Sequence, residues 1–269
     1  STTPDGELRY FPNNASGNAE GRPFEGYIVT GTDWQSANRM FLADVSGDGS
    51  ADLIATRGNG EMIYCPNNAS SNPNGRPFLG CDLVGSGWDT ADRIFVADLS
   101  GDGAADILST TPDGELRYFP NNAASNPDHK PFTGYTVVGT GWQTANRMYV
   151  ADVSGDGAAD ILSTTADGEL RYFPNNAGSN PDHKPFAGYT VVGTGWNTAN
   201  RIFVSDYSGD GAADLLSTTP DGELRYFPNN AASNPDHKPF SGYKVTGTGW
   251  NTANRIITHT TQTQPDPTR

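Results

Sequence analysis

Positive charge is scarce in this sequence: 17 lysines and arginines face 31 aspartates and glutamates over 269 residues, giving a formal net charge of −14. Nucleic acid is excluded as a partner on that ground, because phosphate binding needs a basic face that displaces counterions. Cations or neutral polymers suit the charge better. Long apolar runs are also missing: 35% of residues are hydrophobic, mean hydropathy is −0.57 and no run of 18 apolar residues occurs. Membrane insertion is therefore not expected. There is no Met at position 1 and no leader of charged, apolar and small residues, so the chain is expected to be a mature form or a fragment.

Catalytic signatures are absent as well. No G-x-S-x-G, H-E-x-x-H or G-x-x-x-x-G-K occurs, and His129, His183, His237 and His259 stand singly. The chain is not expected to be an enzyme.

Turn formers and aromatics are plentiful, with 32 Gly, 19 Pro, 12 Phe, 11 Tyr and 5 Trp. Such a composition disfavours long helices and suits short strands joined by many turns. The aromatics keep a fixed interval: Trp34, Trp88, Trp142, Trp196 and Trp250 are each 54 residues apart. Five units result, and a repeat of this length is one supersecondary module. Within the third unit, Arg147-Met-Tyr-Val-Ala-Asp and Asp160-Ile-Leu-Ser-Thr-Thr read as the strands flanking a loop. Asp-Gly at 113–114, 167–168 and 221–222 marks the next hairpin, because both residues tolerate positive φ. Glu115-Leu-Arg-Tyr-Phe and Tyr135-Thr-Val-Val-Gly read as third and fourth strands.

The expected architecture is an all-β, five-bladed β-propeller of four-stranded antiparallel blades. One domain would span residues 1–259, with 1–14 and about 243–259 sharing the closing blade and 260–269 forming a polar tail. Residue 1 falls in a second strand, and Arg255-Ile-Ile-Thr would supply the matching first strand, so the ring would close through both termini.

Between the first and second strands, the first four units carry Asp-x-Ser-Gly-Asp-Gly-x-Ala-Asp. The candidate ligands are Asp44, Ser46, Asp48, Ser50 and Asp52; Asp98, Ser100, Asp102, Ala104 and Asp106; Asp152, Ser154, Asp156, Ala158 and Asp160; and Asp206, Ser208, Asp210, Ala212 and Asp214. Ca²⁺ takes about six to eight oxygens, and such a loop could wrap one ion with three carboxylates, a hydroxyl and a backbone carbonyl. About four structural Ca²⁺ ions are expected. Asp side chains also cap turns through backbone N–H groups, which would account for the same residues without metal. The fifth unit places Thr260, Gln264 and Thr268 at these positions and lacks the loop.

The loop resembles the calcium loop of FG-GAP/VCBS-type propeller repeats over four of the five units, departing from it at Ser in position 3. Gly-Thr-Gly-Trp before a strand, followed later by Asp-Gly-x-Leu-x-Tyr-Phe, is loosely similar to tachylectin-type five-bladed lectins. That second resemblance implies a lectin with a preference for N-acetylhexosamines.

Cys65 and Cys81 replace a Phe and a Tyr found in the other four units. If the two aromatics touch there, the paired replacement reads as a disulfide between the third and fourth strands, and a secreted, extracellular setting follows. The candidate sugar-binding residues are Trp34, Asn38 and Arg39; Trp88, Asp92 and Arg93; Trp142, Asn146 and Arg147; Trp196, Asn200 and Arg201; and Trp250, Asn254 and Arg255. An indole face can stack on a pyranose while amide and guanidinium groups reach its hydroxyls. Equally, Trp could pack between blades and Arg could tie sheets together. The expected function is multivalent binding of glycans or glycoconjugates, with a protein-binding adhesion scaffold or a targeting module of a larger secreted protein as the rivals.

Overall fold

The computed structural model describes residues 1–13, 17, 24, 26–72, 74–123, 130–176, 185–186, 188–231 and 238–253. The chain divides into two compact units, one of residues 1–90 with 122–133 and the other of residues 91–121 with 134–269.

The first unit holds β1 (Leu8–Tyr10), β2 (Ile28–Gly31), β3 (Ala37–Ala43), β4 (Asp52–Arg57), β5 (Met62–Cys65) and β6 (Asp82–Gly85). β3 to β6 form one antiparallel four-stranded blade in sequence order, and β1 pairs with β2 in a two-stranded sheet. The second unit repeats the blade three times. Its first blade comprises β7 (Arg93–Ala97), β8 (Asp106–Thr110), β9 (Leu116–Phe119) and β10 (Thr136–Gly139). The next has β11 (Arg147–Ala151), β12 (Asp160–Thr164), β13 (Leu170–Phe173) and β14 (Thr190–Gly193). The last has β15 (Arg201–Ser205), β16 (Asp214–Thr218), β17 (Leu224–Phe227) and β18 (Lys244–Gly247). This is an all-β propeller architecture of four-stranded antiparallel blades. Among the described residues no helix is long and apolar enough to cross a membrane.

The expected count of five four-stranded blades is not reached: the described residues give four, plus the β1–β2 sheet. That sheet matches the third and fourth strands of a blade. A rudiment of the second strand lies beside it, since Thr2 bridges Leu8 and Arg9 N–H donates to the Ser1 carbonyl at 2.8 Å. The segment expected as its first strand, 255–258, and the expected tail, 260–269, lie outside the described residues.

Each strand's sequence explains its place in the blade. The Asp-Ile-Leu-Ser-Thr strands β8 and β12 are buried along their whole length, whereas β11 and β15 alternate. Strands covered on both faces lose the alternation that one solvated face imposes. Between the second and third strands, Gly114 takes φ +91° in its Asp-Gly turn, a conformation that strains any residue with a Cβ. In the second unit one core cluster joins Phe95, Leu108 and Leu116 of one blade to Met148, Val150 and Ile161 of the next. Each such fully buried side chain contributes about 1.5–3 kcal/mol, so hydrophobic burial is the main force joining these two blades.

Candidate functional site

In the carboxylate loops, the first Asp folds the loop around itself. Asp44 accepts backbone N–H bonds from Gly47 at 2.7 Å, Asp48 at 3.1 Å and Gly49 at 2.7 Å. Asp98, Asp152 and Asp206 repeat the pattern. In Asp206 these donors, with Gly211 foremost, hold the carboxyl below the usual range against the opposing effect of burial. The middle Asp accepts one N–H from the residue two further on, at 2.8–3.0 Å in Asp48, Asp102, Asp156 and Asp210.

The last Asp is buried and saturated. Asp52 accepts from Val45 N–H at 3.0 Å, Ser46 N–H at 2.9 Å, the Tyr64 hydroxyl at 3.2 Å and Asn67 N–H at 2.6 Å. Asp160 and Asp214 have four equivalent donors each. Asp106 takes Leu99, Ser100 and Asn121. Burial pushes the carboxyls of Asp106 and Asp160 up to about 6 in spite of those donors.

The donor types therefore suit calcium. Among the described residues no group of three or more His, Cys, Asp or Glu converges on a point where a metal ion could sit. The first and last Asp of each loop accept several backbone amides, as in turn capping, and the middle Asp accepts one through Oδ1. In the second unit the loops also link blades: Ala159 N–H donates to the Asp98 carbonyl and Ala213 N–H to the Asp152 carbonyl, both at 2.7 Å. The Asn175 and Asn229 amides reach the Leu99 and Val153 carbonyls at 2.7 Å.

The Trp-Asn-Arg segments are buried at Trp and exposed at Asn over most of the repeats. Trp34, Trp88, Trp142 and Trp196 are only 7–8% exposed. Trp142 lies 4.7 Å from Phe173 and Trp196 lies 4.8 Å from Phe227, centroid to centroid. Each indole is seated over a strand-ending glycine: a Cβ at Gly139 would lie 2.7 Å from Trp142 Nε1. Trp250 is half-buried.

The arginines tie blades together in the second unit. Arg93 donates to the Ala145 carbonyl at 2.8 Å, Arg147 to the Asn200 carbonyl at 3.3 Å and Arg201 to the Ala253 carbonyl at 2.8 Å. Each of these arginines spends one guanidinium nitrogen on a neighbouring carbonyl, while Nη1 of Arg93 and of Arg147 has no hydrogen-bond partner among the described residues. Arg39 is partly buried, and Asn38, Asp92, Asn146 and Asn200 are exposed. Asn254, Arg255 and the four histidines lie outside the described residues.

Cys65 and Cys81 form the expected disulfide, joining β5 to the residue before β6. The condition behind that reading is met: Phe119–Tyr135, Phe173–Tyr189 and Phe227–Tyr243 are in ring contact at 5.1–5.2 Å. Over each of these tyrosines an arginine stacks at 4.6–4.7 Å, and that arginine pairs with a glutamate two residues before it.

The cystine blade is arranged differently. Ile63 occupies the stacking arginine's position, and Glu61 is paired at 3.0 Å with Arg57, which replaces a threonine. A small cleft lies here, lined by Thr32, Asp33, Trp34, Ser36, Ala37, Arg57, Ile63 and Cys81. Reading for what the repeats share passes over Asp33 and Arg57; the signal in the sequence is their departure from Gly and Thr at the equivalent positions.

Against known proteins, the repeat is recognisable. Residues 98–163 and 152–217 each match the FG-GAP-like repeat family. The two FG-GAP-like matches overlap, each running from one carboxylate loop through the next blade's second strand. No curated protein sequence matches the chain significantly. Among solved structures, the chain is similar to an Agrocybe aegerita lectin described for its specific recognition of non-reducing terminal N-acetylglucosamine. Identity is 22%, the TM-score is 0.61, and the match covers 91% of this chain and 67% of the lectin. That likeness establishes a shared fold. BBS1N in its complex with ARL6DN matches at 10% identity and TM-score 0.44, over 91% of this chain and 63% of that one. The Dos1 propeller matches at 12% identity and TM-score 0.39, over 82% and 50%.

Proposed function

We propose that this chain is a secreted, non-catalytic glycan-binding protein whose ligands are N-acetylhexosamine-type glycans. The observation that carries this reading is the fold it shares, over 91% of its length, with a lectin that recognises terminal N-acetylglucosamine. The disulfide accords with an oxidising compartment. The five-fold sequence period extends the reading to five blades, with the first strand of the β1–β2 blade assigned by the sequence to 255–258.

A glycan array of the labelled chain, run in calcium and again in EDTA, tests the proposal. Selective binding of N-acetylhexosamine glycans under both conditions is the expected result. A blank array from folded protein would reject glycan binding and leave the protein-binding scaffold as the reading to pursue. Binding that vanishes in EDTA while the fold persists would place calcium at the sugar.

A further inference from the structure

Four units place an Arg-Tyr stack beside the glutamate two residues before the arginine; for Arg9 the ring is Tyr27, at 4.3 Å. In the cystine blade both partners of the stack are gone. Ile63 and Cys81 are smaller than Arg and Tyr, and the guanidinium that pairs with the retained Glu61 comes from Arg57, at the end of β4. The exchange leaves space in front of Trp34 and puts a guanidinium at its edge. A second departure faces the same cleft. Asp33 adopts φ +67° where Gly87, Gly141, Gly195 and Gly249 adopt +79° to +85°. A non-glycine residue in this region is strained, and such strain gathers at ligand-binding positions.

The cleft has a volume of about 100 Å³. Whole-ligand pockets run to roughly 300–1,000 Å³, so this one takes a single substituent. Its lining residues include an acid, Asp33, a base, Arg57, and two apolar side chains, Ile63 and the disulfide-bonded Cys81. A secondary amide ending in a methyl group matches all three, its N–H donating to the carboxylate, its carbonyl accepting from the guanidinium and its methyl covering Ile63. A hydroxyl in the same place would leave the floor uncovered.

Resting on the glycan-binding reading, we infer that the chain takes the acetamido group of one N-acetylhexosamine in the cleft between Asp33 and Arg57, and that the described residues of the other repeats, with Gly, Thr, Arg and Tyr at the positions of Asp33, Arg57, Ile63 and Cys81, form no equivalent site.

The test is titration of the full chain with the methyl glycosides of N-acetylglucosamine and of glucose, read by calorimetry and by the five Trp indole N–H signals. One equivalent of the N-acetyl sugar is expected, with glucose at least about tenfold weaker, and the Trp34 signal alone should move. Asp33→Gly should keep or raise the melting temperature, because the strain is relieved, and weaken binding about tenfold or more. A variant carrying the residues of the other units, with Asp33→Gly, Arg57→Thr, Ile63→Arg, Cys65→Phe and Cys81→Tyr, should fold as those units do and bind no sugar. Two or more equivalents per chain, equal affinity for glucose, or undiminished binding by Asp33→Gly would overturn the inference while leaving glycan binding intact. A folded chain that binds no glycan on the array would overturn both.

Discussion

At the scale of single residues, the repeated Trp, Gly and Arg positions make close contacts within the blades, and substitutions there should be read in stability. Gly139→Ala would set a methyl 2.7 Å from Trp142 Nε1, so one of the two must move. Overpacking of this kind costs about 1–3 kcal/mol, measurable as a lower urea midpoint at unchanged slope. Arg93→Ala removes a charged donor from the Ala145 carbonyl and should cost about 1.5–3 kcal/mol. The same variant should retain the wild-type affinity for N-acetylglucosamine. Lost sugar binding in a variant of normal stability would return Arg93 to the ligand set. The disulfide closes a loop between residues 16 apart in sequence. Replacing both cysteines by Ser should cost roughly 3 kcal/mol, read as a lower midpoint that no longer depends on reductant.

At the scale of the element, the carboxylate loop decides between metal and amide as the partner of its aspartates. One bound ion at about 100 times its dissociation constant adds about 2.7 kcal/mol, several degrees in melting temperature for a chain of this size. With the last Asp of each loop already bonded by three or four protein donors, calcium should shift the melting temperature by less than about 2 °C, and EDTA should not lower it. Scanning calorimetry with and without calcium checks this; a shift of about 5 °C or more would mean that the loops rearrange to a cage. Proton binding follows from the same burial. In the folded chain Asp106 and Asp160 titrate near 6, above the ordinary carboxylate value of 3.8. The native state therefore holds more protons than the unfolded state between those values, so the contribution of these two groups to stability falls as pH rises from about 4 to 6 and is flat above. Urea midpoints should be higher at pH 5 than at pH 7. The sequence made the loop's position and residue types legible, because they recur four times. The direction in which each oxygen points was not, since an Asp rich in nearby backbone amides and an Asp facing a cation share one pattern.

At the scale of the whole molecule, a repeat is legible through what its copies share, while a site is legible through where one copy departs. The 54-residue spacing and the Asp-Gly turns gave the blade, its four strands and their order. The same regularity suggested five equal sugar sites, but four of the five Trp are buried and Arg93, Arg147 and Arg201 bond backbone carbonyls, whereas Asp33, Arg57 and Ile63 are the exceptions. This difference changes the expected binding behaviour. Several equal sites on one chain would gain about 10²–10⁴ in avidity on a dense glycan surface through effective concentration. One acetamido cleft per chain gains nothing of that kind while the chain is monomeric. Binding of the monomeric chain to a surface coated with N-acetylglucosamine should therefore match its affinity for the free methyl glycoside within a factor of about three, and should not steepen with glycan density. Surface binding a hundredfold tighter than solution binding, from protein shown to be monomeric by light scattering, would require further sites on the same chain.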